Sequence, residues 1–317
     1  MIITLSRKEK LIVIGKILVA SAILLFLFQK FQSFDLRKLY TAFTVHIFIL
    51  VSLLACVNIL IQINKWKLVF TEMLGDISEK KIVYSFFVGA ATGSFTPGRL
   101  GEYFGRSFVI KEYPANEVIS ASIVDKLANL FVLLFAGIFA TIWYLTIKDL
   151  FTPNVIYVFS FLSVFLLGIF IFFLLQKKAA ANIYKRIEKT AILKKIFIRV
   201  QALKKVDRKT VVIQLCFSVF LYGAIALEYG ILTATFAHKP LETAFLLAGI
   251  LTLFVKSFVP SISFGDLGIR ESASIFFVTS IGLSAEVGFL SAFSIFLFNI
   301  LFPSVIGVII LLTTQRK

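Results

Sequence analysis

The chain has 317 residues, of which 59% are hydrophobic and only 16% charged. Soluble domains carry about 25% charged residues, and so little charge cannot cover so much apolar surface in water. With a mean hydropathy of +0.96, this excludes a cytosolic enzyme, a secreted disulfide scaffold and a disordered chain. It predicts a single all-α membrane domain over 1–317. The net charge of +16 then says first on which side the cytoplasm lies.

Arg7, Lys8 and Lys10 precede an apolar run over 11–28 that ends in Phe28-Gln29-Lys30-Phe31. No small-residue cleavage site follows, so the run reads as an uncleaved first helix. Further spans are predicted at 42–63, 118–147, 154–175, 211–237 and 287–312, each long enough to cross a bilayer. Cys56 and Cys216 fall inside apolar runs and read as buried small hydrophobes, not as a disulfide framework.

Two other apolar stretches are interrupted. One runs from Ile82 to Phe95, breaks at Thr96-Pro97-Gly98-Arg99-Leu100-Gly101-Glu102, and resumes to Ile110. The other runs from Thr243 to Val259, breaks over Pro260-Ser261-Ile262-Ser263-Phe264-Gly265-Asp266-Leu267-Gly268, and resumes to Leu283. Proline removes a backbone donor and glycine loosens a helix, so both breaks are stops. The returning halves are too short to span, and unwound backbone at membrane depth must lie against protein or a water-filled cavity. Both stretches, 82–110 and 243–283, therefore read as re-entrant hairpins beside about six full spans.

Charge parity supports that arrangement. With the N-terminus inside, the inside segments 1–10, 64–81, 111–117, 176–210 and 313–317 carry 22 Lys and Arg, and the outside segments carry 5. Both termini then lie on the cytoplasmic side of a prokaryotic inner membrane. Twelve of these charges lie in 176–210. There Ile183, Ile187, Ala191, Ile196, Val200 and Leu203 recur at near-helical spacing, which suits a cationic amphipathic helix on anionic lipid. Lys194, Lys195, Lys204 and Lys205 are its candidate lipid-surface contacts. An ordinary topology-setting loop would carry the same charge. Nucleic-acid binding is not needed to explain it.

The charges left inside the apolar stretches gather at the two breaks. If a half-helix opens just after Pro97, Arg99, Glu102 and Arg106 fall at i, i+3 and i+7 on one face. A helix N-terminus offers free N–H groups, and arginine grips phosphate bidentately, so the pattern points to an anion site. The second break repeats it: Gly98-Arg99-Leu100-Gly101 matches Gly265-Asp266-Leu267-Gly268, and Arg270 and Glu271 follow. One hairpin enters from each side, the arrangement that inverted repeats produce around a midplane site. The candidate phosphate ligands are Arg99, Arg106 and Arg270 with Gly98, Gly101, Gly265 and Gly268. Glu102, Glu271, Asp125 and Glu228 are candidate counter-ions or proton carriers. If these charges pair only with one another, they hold the tips together and bind nothing. Asp125-Lys126 is expected to open the long helix after the first hairpin, and Glu228 and Lys256 to pair across neighbouring helices. Two histidines, His46 and His238, cannot build a multi-histidine metal cluster. No zinc spacing, phosphate-binding loop or oriented nucleophile is visible, so neither cofactor nor metal is expected.

These motifs resemble the transmembrane, flippase-like region of the lysylphosphatidylglycerol synthase family. The carriers are Thr96-Pro97-Gly98-Arg99-Leu100-Gly101-Glu102 with Arg106, then Ser122-Ile123-Val124-Asp125-Lys126-Leu127, and Ser263-Phe264-Gly265-Asp266-Leu267-Gly268-Ile269-Arg270-Glu271. In the last, Asp266 stands where the family's pattern has a second glycine. The resemblance covers most of the chain. It implies lipid translocation, which in fused members accompanies a cytosolic aminoacyl-transfer domain. Here the chain ends just after its last helix, so aminoacylation would need a separate lipid-modifying enzyme. The expectation is a flippase-like protein, not an enzyme, that binds a phosphate-bearing lipid of phospholipid or polyprenyl-phosphate type. The alternatives are a small-anion carrier and a membrane enzyme or accessory subunit acting on lipid-linked sugars.

Overall fold

Unbroken apolar runs become the longest helices. The computed structural model describes residues 44–148, 206–259 and 268–314, with four single positions between 154 and 164. Helix α1 spans Val45–Leu74, followed by α2 (Glu79–Ser94), α3 (Gly101–Val109), α4 (Ala115–Ile147), α5 (Arg208–Ala237), α6 (Thr243–Phe258), α7 (Ile269–Ser280), α8 (Ala285–Phe296), a π-helical turn (Leu297–Leu301) and α9 (Phe302–Thr314). No strand occurs among the described residues. The predicted spans 11–28 and 154–175 and the basic segment 176–205, with Lys194, Lys195, Lys204 and Lys205, lie outside the described residues, apart from the single positions noted.

Among the described residues, four helices are long and apolar enough to cross a membrane: α1, α4, α5 and the run from Ala285 through the π turn to Thr313. They hold 30, 33, 30 and 29 residues, more than the ~20 that a bilayer core requires. Their outward faces are apolar too: Phe48, Ile49, Leu53 and Leu60 of α1, and Val212, Val219 and Phe220 of α5, are exposed. Large apolar surface facing outward on helices of this length calls for lipid around them. Cys56 and Cys216 belong to these outward faces. Their predicted burial inside the protein is thus corrected: an apolar run at a lipid boundary need not be core.

Helix α1 also runs farther than expected, through Lys65, Trp66 and Lys67 to Leu74. Gly75 stops it at φ 113°, with its N–H on the Thr71 carbonyl. Lys65, counted from the sequence with an inside loop, is instead fully buried in the helix bundle.

Both interrupted stretches are paired helices. Helices α2 and α3 pack against each other, as do α6 and α7. The α2–α3 contact is built on small residues. A Cβ on Gly101 would stand 2.3 Å from the Thr92 carbonyl oxygen, and one on Gly105 would stand 2.0 Å from Thr92 Oγ1. Such approach lets backbones touch where no water drives helices together. Helix α9 covers the other side of α2, through Ser94 and Ser304, whose hydroxyls lie 2.7 Å apart.

Among the described residues, burial gives a small apolar cluster of Phe296 and Ile300 and two large ones. One gathers Trp66, Val69, Phe70, Ile82, Phe86 and Val118 around the first pair. The other gathers Tyr229, Leu232, Leu251, Phe277, Val278 and Leu290 around the second. Helices α4 and α5 pack against α1, and α6 packs against both α4 and α5, joining the halves.

Candidate anion cavity

The first break is a sharp reversal. Gly98 sits at φ 60°, and Arg99 follows at φ 56°. A Cβ on Gly98 would meet no atom within 4 Å, so this glycine serves conformation, not space. Left-handed backbone is uncommon for arginine and carries strain that the surroundings must hold. Here Arg99 N–H donates to the Thr96 carbonyl at 3.1 Å, and Thr96 Oγ1 accepts from Gly101 N at 2.7 Å. Helix α3 consequently opens at Gly101, not just after Pro97. Arg99 lies outside it, and one of the N–H groups at its start is already satisfied by Thr96.

Glu102 and Arg106 share the buried face of α3. Glu102 Oε1 accepts from Arg106 Nη2 at 2.8 Å and pairs with Lys126 Nζ at 2.7 Å, while Oε2 lies 3.4 Å from Arg99 Nη2. One carboxylate thus faces three cations. Arg106 also donates through Nη1 to Asp125 Oδ2 at 3.0 Å, and its guanidinium lies 4.4 Å from the Trp66 ring centre. It is fully buried. Packed between two carboxylates and an indole face, Arg106 is held through both of its Nη atoms. Asp125 and Lys126 are well inside α4, not at its start as expected. The long helix begins a full ten residues earlier, at Ala115.

At the second break, Gly268 adopts φ 96°. Its N–H donates to Glu271 Oε2 at 2.6 Å, and Arg270 Nε lies 3.6 Å from Glu271 Oε1. Glu271 therefore closes the start of α7 and neighbours its own arginine. Arg270 is buried, with its guanidinium 5.4 Å from the Phe296 ring centre. Gly265, with Asp266, lies outside the described residues.

A cavity of about 460 Å³ joins the two breaks. Its wall includes Gly98, Arg99 and Glu102 from the first and Arg270 from the second. Lys126 of α4 and Lys256 of α6 complete the charged lining among the described residues. Arg106, Gly101, Asp125, Glu228, Gly268 and Glu271 are not among the described lining residues; Arg106 and Asp125 sit behind Glu102. Gln62, Asn129, Ser257 and Asn299 add uncharged polar groups, and most of the other described lining residues are apolar or aromatic, among them Phe86, Tyr103, Leu130, Leu133, Tyr222 and Leu253. Among the described lining residues, four cationic side chains against one carboxylate, beside much apolar surface, suit an anion that brings hydrocarbon with it. The cavity size falls in the range of about 300–1,000 Å³ typical of small-ligand sites.

Glu228 does not pair with Lys256, correcting that expectation. It accepts from Asn58 and Asn299 instead, because α1 and the π turn, not Lys256, reach its face. Sequence reading missed Lys65, Asn58, Asn129 and Asn299. Lys65 donates to Asn129 Oδ1 and, at 2.6 Å, to Ser218 Oγ. An amide or lysine alone inside an apolar run was the available signal, since such groups must find a partner. Among the described residues, no group of three or more His, Cys, Asp or Glu could hold a metal ion.

No curated protein matches the chain, and neither does any solved structure. A family model, described as the lysylphosphatidylglycerol synthase TM region, matches residues 13–307. That match takes in both breaks, the cavity between them, the described membrane-length helices α1, α4 and α5 and the fourth as far as residue 307, and so this integral membrane protein belongs to the family of the lysylphosphatidylglycerol synthase TM region, whose setting is the handling of lipids.

Proposed function

We propose that the chain is a flippase-like protein that seats the phosphate of an anionic lipid between the two breaks and moves it across the prokaryotic inner membrane. One observation carries this reading: Arg99, Lys126, Lys256 and Arg270 line one cavity in which Glu102 is the only described carboxylate. Arg99 and Lys126 are accessible there, their side chains about a quarter exposed at 28% and 26%. Arg99 Nε is buried without a hydrogen-bond partner, a donor free to meet a phosphate oxygen. A second cavity of about 180 Å³, lined by Phe95, Phe296, Leu301, Val305, Val308 and Ile309 among others, lies along the same α8–α9 run. Its lining offers a lipid tail an apolar place, which a small soluble anion would not use.

The topology that fits this reading has six full spans, two hairpins with tips near the midplane, and both termini cytoplasmic. In it α1 and α5, which pack together, run in opposite directions. The partners are membrane lipids with anionic headgroups, and a separate enzyme would do any chemistry on them.

Reconstitution into vesicles with a fluorescent phosphatidylglycerol tests the reading. Wild type should move the probe between leaflets, and Arg99→Lys should move it at least roughly tenfold more slowly, because the charge stays but bidentate geometry is lost. Thermal stability should be nearly unchanged. Equal rates for Arg99→Lys and wild type would refute the phosphate site. Movement of inorganic phosphate with no lipid movement would make the protein a small-anion carrier.

A further inference from the structure

Glu228 of α5 is fully buried in the middle of a membrane-length helix. Its surroundings differ from those of every other buried acid in the described residues. Asn299 Nδ2 lies 2.8 Å from Glu228 Oε1 and 2.9 Å from Oε2, and Asn58 Nδ2 lies 2.9 Å from Oε2. Asn58 Nδ2 also donates to Asn299 Oδ1 at 3.1 Å. The three residues come from α1, α5 and the π-helical turn, and Asn58 is fully buried too.

The hydrogen-bond inventory of this cluster is one donor short. Two amides supply every N–H, and these reach both carboxylate oxygens and Asn299 Oδ1. Asn58 Oδ1 is left buried with no partner. A buried acceptor without a donor costs about 1–3 kcal/mol. No neighbouring cation resolves the deficit, since none forms an ion pair with Glu228 among the described residues. Lys65 of α1 is bonded to Asn129 and Ser218, and Asp125 and Lys126 of α4 are paired with Arg106 and Glu102. Neither Lys256 of α6 nor Glu286 of α8 pairs with it, and the adjacent Tyr229 bonds Ser274. A carboxyl proton is the donor that completes the set, once the carboxyl or the Asn58 amide rotates.

We propose that Glu228, Asn58 and Asn299 form a proton-binding site coupled to the anion cavity. The link is Asn299, which bonds both Glu228 oxygens and also lines the cavity. It sits in a π-helical turn, Leu297–Leu301, a local irregularity that helices often place at functional sites. An anion entering the cavity favours the neutral carboxyl, and by reciprocity the proton favours the anion. Anion and proton then load together, which lowers the charge carried through the membrane. This coupling rests on the anion reading above, whereas proton binding at Glu228 does not.

The experiment has two arms, both on full-length protein in phosphatidylcholine vesicles. Infrared difference spectra between acidic and alkaline buffer should show a protonated-carboxyl band that Glu228→Gln removes and Glu228→Asp shifts. A spectrum in which both variants match wild type would overturn the proton site. In the second arm, fluorescent phosphatidylglycerol should move faster under a pH gradient in wild type, and Glu228→Gln should lose that response. Wild-type movement indifferent to the gradient would overturn the coupling. If no lipid moves at all, the lipid reading fails, and the infrared band alone decides the proton site.

Discussion

Glu102 and Glu228 are both glutamates buried in helices, yet the protein stabilises them by opposite means. Glu102 is surrounded by Arg99, Arg106 and Lys126, and Arg106 is held in turn by Asp125. Glu228 has two neutral amides. In the first cluster each charge needs the others, because losing a partner strands a buried ion at several kcal/mol. In the second, the carboxyl can take up a proton without stranding a charged partner, since both of its partners are neutral. An ionic cluster suits a fixed scaffold with one open edge, at Arg99 and Lys126. An amide-held carboxyl suits a group that changes state.

The largest test of that contrast is stability. Arg106→Leu leaves Glu102 and Asp125 short of their shared partner and should cost about 3–5 kcal/mol, read as a fall in thermal midpoint in lipid nanodiscs. Glu228→Gln should cost less than about 1.5 kcal/mol, because an amide accepts and donates in the same network. Equal losses for the two variants would erase the distinction between scaffold and switch.

Packing beneath the ionic cluster gives the next effect. A Cβ on Gly105 would press on Thr92 Oγ1 and on the Val88 carbonyl, 2.9 Å away. Gly105→Ala should push α3 off α2 and cost about 1–3 kcal/mol, while slowing lipid movement by displacing Glu102. Gly98→Ala meets no clash and should cost only about 1 kcal/mol through its positive φ. A cysteine-crosslinking distance between α2 and α3 that is unchanged in Gly105→Ala would show that the contact is looser than its geometry.

The smallest effect is expected at the edge. Lys67 pairs with Glu79 at the start of α2, with both side chains solvent-exposed. Lys67 holds the Glu79 carboxyl below its ordinary range by hydrogen bond and charge. A lowered carboxylate value means that this contribution is present above the ordinary Glu range and disappears on acidification. Exposed pairs contribute little, so Lys67→Gln should leave thermal unfolding unchanged within error at neutral pH. A large shift would mean that charge at the rim matters as much as charge at the core.

Much of the architecture was legible in residue order. Proline and glycine at Thr96–Gly101 marked the first reversal, and the bounds of α2, α3 and α6 fall within a few residues of the expected ones. Local chemistry explains this: a missing N–H or a left-handed glycine acts within a turn of itself. The expected span at 118–147 likewise lies close to α4, but Asp125-Lys126, expected to open that helix, lie well inside it, because Asn116, Glu117 and Ser120 do not interrupt a helix even though they interrupt an apolar run. Polar residues end hydrophobicity sooner than they end helicity.

The composition and the placement of charge required helices in a membrane, two breaks and arginines beside them. Which arginine faces a cavity was decided only when the helices packed. Arg99 and Arg106 are seven residues apart, yet one borders open space and the other is enclosed by Glu102, Asp125 and Trp66. Asn58 and Glu228 are separated by 170 positions, and Asn58 and Asn299 by 241. No periodicity within one helix carries information over such distances. In an apolar interior each polar side chain must find its partner wherever the fold brings one, and that choice belongs to the packing of α1, α5 and the π turn against one another.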